Sequence, residues 1–268
     1  MIIEKSKKLT SPHAFSTRAG GVSSLDSTKY LNLGFGRGDG DYVVMKNLEI
    51  FAGAAGFDRD TVVSLPQVHS IEVLTVDESF CGIGYTRRDF DAYEHKFADG
   101  YITNKRGVTL GVKTADCVPI LLECRSDNGE IIAVGAVHAG WRGTVGGIQK
   151  VAVEKLVSLY GVKPQNIYAC IGPCIHKCCF EVGEDVYEAV KALGEGYAED
   201  FCMPRENKED KYMCDLVGIN RRMLENAGVP KENIDVIDEC TFCNPEKYYS
   251  HRYSGGNRGT MLSVIWMG

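Results

Sequence analysis

Long apolar runs are absent from this 268-residue chain. A membrane-spanning helix needs about 18 or more consecutive apolar residues, and no segment supplies them. The opening residues, MIIEKSKKLTSPHAF, carry lysines but no apolar stretch of signal-peptide length, so neither membrane insertion nor export is expected. A basic surplus is missing as well. The formal net charge is −6, and no Lys/Arg cluster forms the electrostatic footprint of a nucleic-acid partner. Internal repeats, low-complexity tracts and Pro/Ser-rich linkers are also lacking, which leaves residues 1–268 reading as a single domain. Cysteine, by contrast, is plentiful. Eleven cysteines without an export signal read as thiols of a reducing compartment, hence of a cytoplasmic protein, rather than as a disulfide framework.

Apolar residues recur at helical spacing in three places: Val145, Ile148, Ala152 and Leu156 before Gly161; Val182, Val186 and Val190 before Gly194; Leu216, Ile219, Met223 and Ala227 before Gly228. Each run closes on the glycine that a helix C-terminus favours, and YVVMKNLEIFAGAAG offers a fourth helix. Strand-like runs are TVVSLPQVHS, IEVLTV, GYITN, GVTLGVKTAD, CVPILLEC, EIIAVGAVHA, IYACIG and GTMLSVIWM. Strands gather in the first half and helices in the second. That order predicts a mixed α/β protein with helix-covered sheets rather than strict βαβ alternation.

Three residues close apolar runs beside small or polar neighbours: His69 in LPQVHS, Cys117 in KTADCVP and His138 in AVHAGW. Two imidazoles and a thiolate suit zinc, and three protein ligands leave a position for water or substrate, the pattern of a catalytic metal. Copper also accepts a His₂Cys set. The spacing is too long to be diagnostic by itself, and the same residues also read as a buried cysteine beside two polar histidines.

The segments FSTRAGGVS with LNLGFG, PQVHS, TADCVPILL, VHAGWRGT, CIGPCI with FEVGEDV, and CTF with YYSHRYSGGNRGTM follow in order from Phe15 to Trp266. This series resembles the laccase-domain, or polyphenol-oxidase-type, family of purine nucleoside phosphorylases. The resemblance implies an α-β-β-α sandwich of mixed sheets and a single metal ion, usually zinc. It further implies phosphorolysis of adenosine, inosine and S-methyl-5′-thioadenosine, with adenosine deamination as a companion activity. The family's metal ligands fall on His69, Cys117 and His138. Some bacterial members are linked with peptidoglycan editing, and the older family name records a claim of copper-dependent phenol oxidation. Multicopper oxidases assemble their coppers on paired His-x-His motifs, and the six histidines here form none.

Phosphate has to be gripped. Arg18 in STRAGG and Arg142 in GWRG sit in glycine-containing turns where a guanidinium fork and backbone amides meet an anion, and Arg142 falls just before a predicted helix start at Thr144. Arg142 is as well suited to pairing with Asp116 and bracing its turn. Asp116 cannot share the direction of Cys117 along an extended strand, so it reads as a supporting or substrate-facing residue rather than a fourth ligand. Gln67, two residues before His69, is expected on the same strand face, as a substrate amide or an orienting partner. Arg252 and Arg258 are further candidates for anion contacts, in a segment that departs from the family's Ser-Tyr-Arg-Arg and Gly-Arg pattern at His251 and Tyr253. Trp141 reads as packing over a core edge rather than stacking on a purine.

The remaining cysteines read as packing thiols. CTFC has the gap of half a structural zinc site, but CIHKCC does not supply a matching pair, and the adjacent Cys178 and Cys179 are expected to point apart. Two other readings of the main site use the same residues. One is a metal-free cysteine hydrolase with Cys117 as nucleophile, His138 as base and Asp116 or Gln67 as orienter, fitting cell-wall precursors. The other is a metal-stabilised editing module without turnover.

Overall fold

The β-branched and aromatic runs pair into two large sheets and a small one in the computed structural model, which describes residues 3–268. The five-stranded sheet has the order β1 (Ile3–Glu4), β2 (His13–Ser16), β14 (Met261–Trp266), β6 (Thr109–Thr114) and β3 (Val62–Val63). Only its β3–β6 pair is parallel. The six-stranded sheet runs β13 (Ile234–Val236), β9 (Ile167–Ile171), β7 (Val118–Arg125), β8 (Ile131–Ala139), β5 (Gly100–Thr103) and β4 (Val73–Thr75), with parallel pairs at both edges. The third sheet is antiparallel, β10 (Glu181–Gly183), β12 (Lys211–Cys214) and β11 (Cys202–Pro204).

Period-two alternation stacks these sheets. Leu110, Val112 and Ile265 from one large sheet and Leu121, Val134 and Ala136 from the other fill a shared apolar layer. Their alternates Ile120, Leu122, Ala133 and Val137 turn outward onto α3 (Ile148–Tyr160) and α6 (Leu216–Asn226). On the opposite side Ala14, Val62, Leu262 and Val264 receive Val44, Leu48 and Phe51 of α1 (Asp41–Ala55). The result is the expected α-β-β-α sandwich, with α2 (Trp141–Gly146), α4 (Glu184–Lys191) and α5 (Tyr197–Phe201) as shorter pieces. Among the described residues no helix is long and apolar enough to cross a membrane.

Three local expectations change. Of TVVSLPQVHS only Val62–Val63 is strand; beyond it the Ser64 N–H is donated to the Ile83 carbonyl and the Leu65 N–H to the Tyr101 hydroxyl, so a loop carries Gln67 and His69. The helical run from Val145 is broken at Gly147, whose φ of 83° ends α2 and starts α3. The helix through Val186 starts only at Glu184, Val182 being paired in β10, and ends at Lys191, short of Gly194.

Candidate metal centre and its cleft

β6 and β7 belong to different sheets, and the chain crosses between them through Ala115, Asp116 and Cys117. Asp116 holds this crossing in a left-handed conformation, φ 96°. Its Oδ1 accepts the Thr241 hydroxyl at 2.6 Å, its Oδ2 the Arg252 N–H at 2.7 Å and its carbonyl the Ile175 N–H at 2.9 Å. With both carboxylate oxygens engaged, Asp116 braces the crossing. His138 lies near the exit of β8, where the alternation of Val134 and Ala136 directs it to the face between the sheets. His69 comes from the loop after β3, with φ 62°.

These three separate pieces of chain meet. One donor atom each from His69, Cys117 and His138 lies within 4.8 Å of the others, and the two imidazole rings stand edge-to-face with centroids 4.9 Å apart. The burial is graded: His138 is buried, Cys117 intermediate and His69 exposed, so the cluster opens toward solvent on one side.

Asp99, fully buried just before β5, organises the set. Its carboxylate accepts the N–H groups of Val68, His69 and Ser70 at 3.2, 3.1 and 2.7 Å, the Ser70 hydroxyl at 2.7 Å and the His138 Nδ1 at 2.8 Å. One side chain thus fixes both the loop that carries His69 and the ring of His138, whose Nε2 is left to face a ligand. Burial pushes the Asp99 carboxyl up, but the bonds from His138 and Ser70 outweigh it and hold Asp99 at about 2. Burial pulls His138 down, yet the Cys117 charge and the Asp99 bond raise it to about 9, whereas burial and the adjacent His138 lower His69.

Gly140 makes the approach possible. A Cβ there would overlap His69 Nδ1 and sit 3.3 Å from Cys117 Sγ. The donor set, the Asp99 support and the open side together fit a three-ligand zinc site.

The trio stands where two cavities join, of about 280 and 310 Å³, which share His69, Ala115, Cys117 and Arg258. Arg37, Arg88 and Lys113 line the first; Trp141, Ile175, Phe180, His251 and Arg252 line the second. Burial, reinforced by Arg88, lowers Lys113 to about 8, and burial beside Arg37 lowers Arg258 to about 10. The buried Arg258 Nε has no hydrogen-bond partner among the described residues.

The sequence-predicted contacts divide. Gln67 lines the first cavity, but both ends of its amide are bonded to the Lys113 backbone, at 2.8 and 2.7 Å. Asp116 and Arg252 line the second; Arg252 Nη1 is donated to the Glu181 carbonyl at 2.8 Å. Arg142 is exposed, stacks 4.2 Å over the Trp141 ring and makes no ion pair with Asp116; it lies within the first turn of α2 rather than before it. Trp141 packs against the core while also lining the cleft. Arg18 is not brought to the trio: its Nη1 is donated to the Pro245 carbonyl at 2.6 Å and its guanidinium lies 4.9 Å from the Tyr249 ring centre. Asp99, Arg37, Arg88 and Lys113 are additions that the sequence reading did not make. The only sequence signal for Asp99 is an acid in ADG directly before a strand.

The model of the family described as "Multi-copper polyphenol oxidoreductase laccase" matches residues 12–268. The chain belongs to this family. It is 36% identical over 262 residues to a purine nucleoside phosphorylase from Deinococcus radiodurans, covering 97% of this chain and 91% of that protein. It is 35% identical to adenosine deaminase RL5 from an unknown prokaryotic organism, covering 98% and 97%. A mouse purine nucleoside phosphorylase is 31% identical over 94% of this chain, which spans about half, 55%, of that longer protein. The crystal structure of the Bacillus licheniformis protein YfiH superposes with a TM-score of 0.86 at 30% identity, covering 96% of this chain and 92% of that one. The laccase-type chain described here thus shares both fold and length with bacterial relatives.

Proposed function

We propose that the chain is a zinc-dependent purine nucleoside phosphorylase acting on adenosine, inosine and S-methyl-5′-thioadenosine, with adenosine deaminase activity, working in the cytoplasm as a single domain over residues 1–268. The observation that carries this reading is an open three-ligand set beside a cationic wall. Arg37, Lys113 and Arg258 line the cavity at His69, Cys117 and His138 and make no ion pair among the described residues. A phosphate dianion supplies the counter-charge they lack, and the Arg258 fork suits its oxygens.

With phosphate on that wall, the nucleoside lies across the join of the two cavities, its base toward Trp141, Ile175 and Phe180. The phosphate oxygen bonds to C1′ as the C1′–N9 bond breaks and the proton of the phosphate passes to the departing base, yielding the free purine and ribose 1-phosphate, or 5-methylthioribose 1-phosphate from S-methyl-5′-thioadenosine. Lys113 and Arg258 orient the attacking phosphate, and Asp99 keeps the proton of His138 on Nδ1. Zinc, or copper in its place, supplies Lewis acidity when bound. Deamination places water, instead of phosphate, against the purine in the same cleft: its oxygen bonds to C6 as the C6–N bond breaks, and the amino group leaves as ammonia with a proton from the water. The names of the prokaryotic relatives support both activities.

A second reading has its own observation: Cys117, His138 and Asp99 stand in line as thiol, base and orienter, with Asp99 in the place that Asp116 or Gln67 was expected to fill. It gives His69 no role. Purine release from the three nucleosides, with and without phosphate, on metal-quantified protein beside Cys117→Ala decides between them. Phosphate-dependent release lost together with the metal supports the phosphorylase. Absence of turnover from zinc-loaded protein, with Cys117 alkylated equally fast in the presence and absence of chelator, overturns it in favour of the thiol reading.

A further inference from the structure

Four cysteines outside the cleft converge on one point. We propose that Cys178, Cys179, Cys240 and Cys243 bind a second ion, a zinc held by four thiolates, that serves the fold rather than the chemistry. One sulfur from each lies within 4.8 Å of the others. Cys179 and Cys178 stand 3.3 and 3.7 Å from Cys243, and none of the four is in a disulfide. Tetrahedral zinc with Zn–S bonds of about 2.3 Å sets its sulfurs roughly 3.8 Å apart. The cluster is therefore near the right size already, and it is too tight to surround a polynuclear iron–sulfur centre.

The adjacent thiols do not point apart as the sequence led one to expect. A turn closes when the Cys179 and Phe180 N–H groups are both donated to the His176 carbonyl at 2.9 Å, and this brings both sulfurs to one side. The CTFC segment supplies a second turn, with the Asn244 N–H donated to the Cys240 carbonyl at 3.2 Å. A parallel bridge between Cys174 and Cys240 joins the two turns, and the His176 N–H points at Cys240 Sγ, 3.4 Å away. An amide aimed at sulfur favours the thiolate. Packing does not explain the arrangement, because Cys178 and Cys243 are exposed and only Cys240 is buried. On binding, the thiols release their protons to solvent and four ligands close the coordination sphere, as in structural zinc sites. The ion would staple the turns that present Ile175 and Thr241 to Asp116, and through Asp116 it would steady the crossing that carries Cys117.

The test uses the full chain, purified with reductant, loaded with zinc and desalted. Elemental analysis is expected to find two zinc ions per chain, one in Cys117→Ala and one in the Cys178→Ser/Cys243→Ser double variant. Cobalt-loaded Cys117→Ala is expected to show the thiolate charge-transfer and intense visible bands of a tetrahedral sulfur site, and these bands should vanish when the double substitution is added. In the wild-type chain, alkylation of the exposed Cys178 and Cys243 should be slow until a chelator is present, a readout that stands even if the double variant fails to fold. One zinc in the wild type, none in Cys117→Ala, and alkylation indifferent to chelator would overturn the proposal while leaving the phosphorylase reading intact.

Discussion

Asp99 is the side chain on which both imidazoles of the centre depend, since it fixes the backbone of His69 and the ring of His138. Asp99→Asn keeps its shape but replaces an acceptor oxygen with a donor among N–H groups that need acceptors. Metal affinity at the trio is expected to fall about 10- to 100-fold, and stability by about 1–3 kcal/mol, measured by competition with a chromogenic chelator and by thermal melting. Arg258→Met should raise the KM for phosphate by about 10- to 100-fold, the worth of a charge-assisted hydrogen bond, while zinc content and the KM for nucleoside stay near wild type. Lys113 carries a pH signature. Its folded pKa of about 8 lies below the usual 10.5, so between those values the unfolded chain binds the extra proton and stability rises with pH. Melting temperatures of wild type and Lys113→Met should therefore converge or cross as pH rises from 8 toward 10.5, and parallel curves would remove Lys113 from the account. His69, Cys117 and His138 were legible in the sequence because each ends an apolar run. Asp99 and Lys113 were not, because an acid before a strand and a lysine within one look like ordinary edge and surface positions until the fold closes over them.

The elements that repeat their pattern were read well, and those defined by a single residue were not. α1, α3 and α6 follow the apolar spacing and end at or near glycines with positive φ, while β7, β8, β9 and β14 follow the β-branched runs. The spacing through Val145 and Ile148 continues across Gly147, so nothing in it announces that the chain unwinds there into α2 and α3. The loop after β3 defeats the strand reading for a tertiary reason: its N–H groups are taken by Ile83, Tyr101 and Asp99 rather than by a neighbouring strand. The junction of β8 and α2 makes its own prediction. Gly140→Ala introduces a methyl group against His69 and Cys117, so the variant should fold with wild-type circular dichroism yet lose zinc from the trio. Full zinc occupancy in Gly140→Ala would mean that the His69 loop moves aside and is less fixed than its bonds to Asp99 imply.

At the scale of the whole molecule, the centre sits where the sandwich is sewn together. His69 follows a strand of one large sheet, His138 ends a strand of the other, and Cys117 lies on the crossing between them. An ion bound there joins both sheets, so it should act on global stability as well as on turnover. A ligand that binds only the folded state stabilises it by RT ln(1 + [L]/Kd), about 2.7 kcal/mol at a hundredfold excess over Kd. For a chain of this size that corresponds to a rise of roughly 5–10 °C in melting temperature. The measurement is cleanest in a Cys178→Ser/Cys243→Ser background, where thiolates of the second cluster cannot contribute. There, the melting temperature is expected to climb with free zinc and to drop on adding a chelator, and a further Cys117→Ala substitution should flatten the response. A response that persists without Cys117 would place the stabilising ion elsewhere. No response even with Cys117 present would mean that the two sheets are held by their shared apolar layer alone, and that Cys117 and His138 meet as a thiol with its base rather than as ligands.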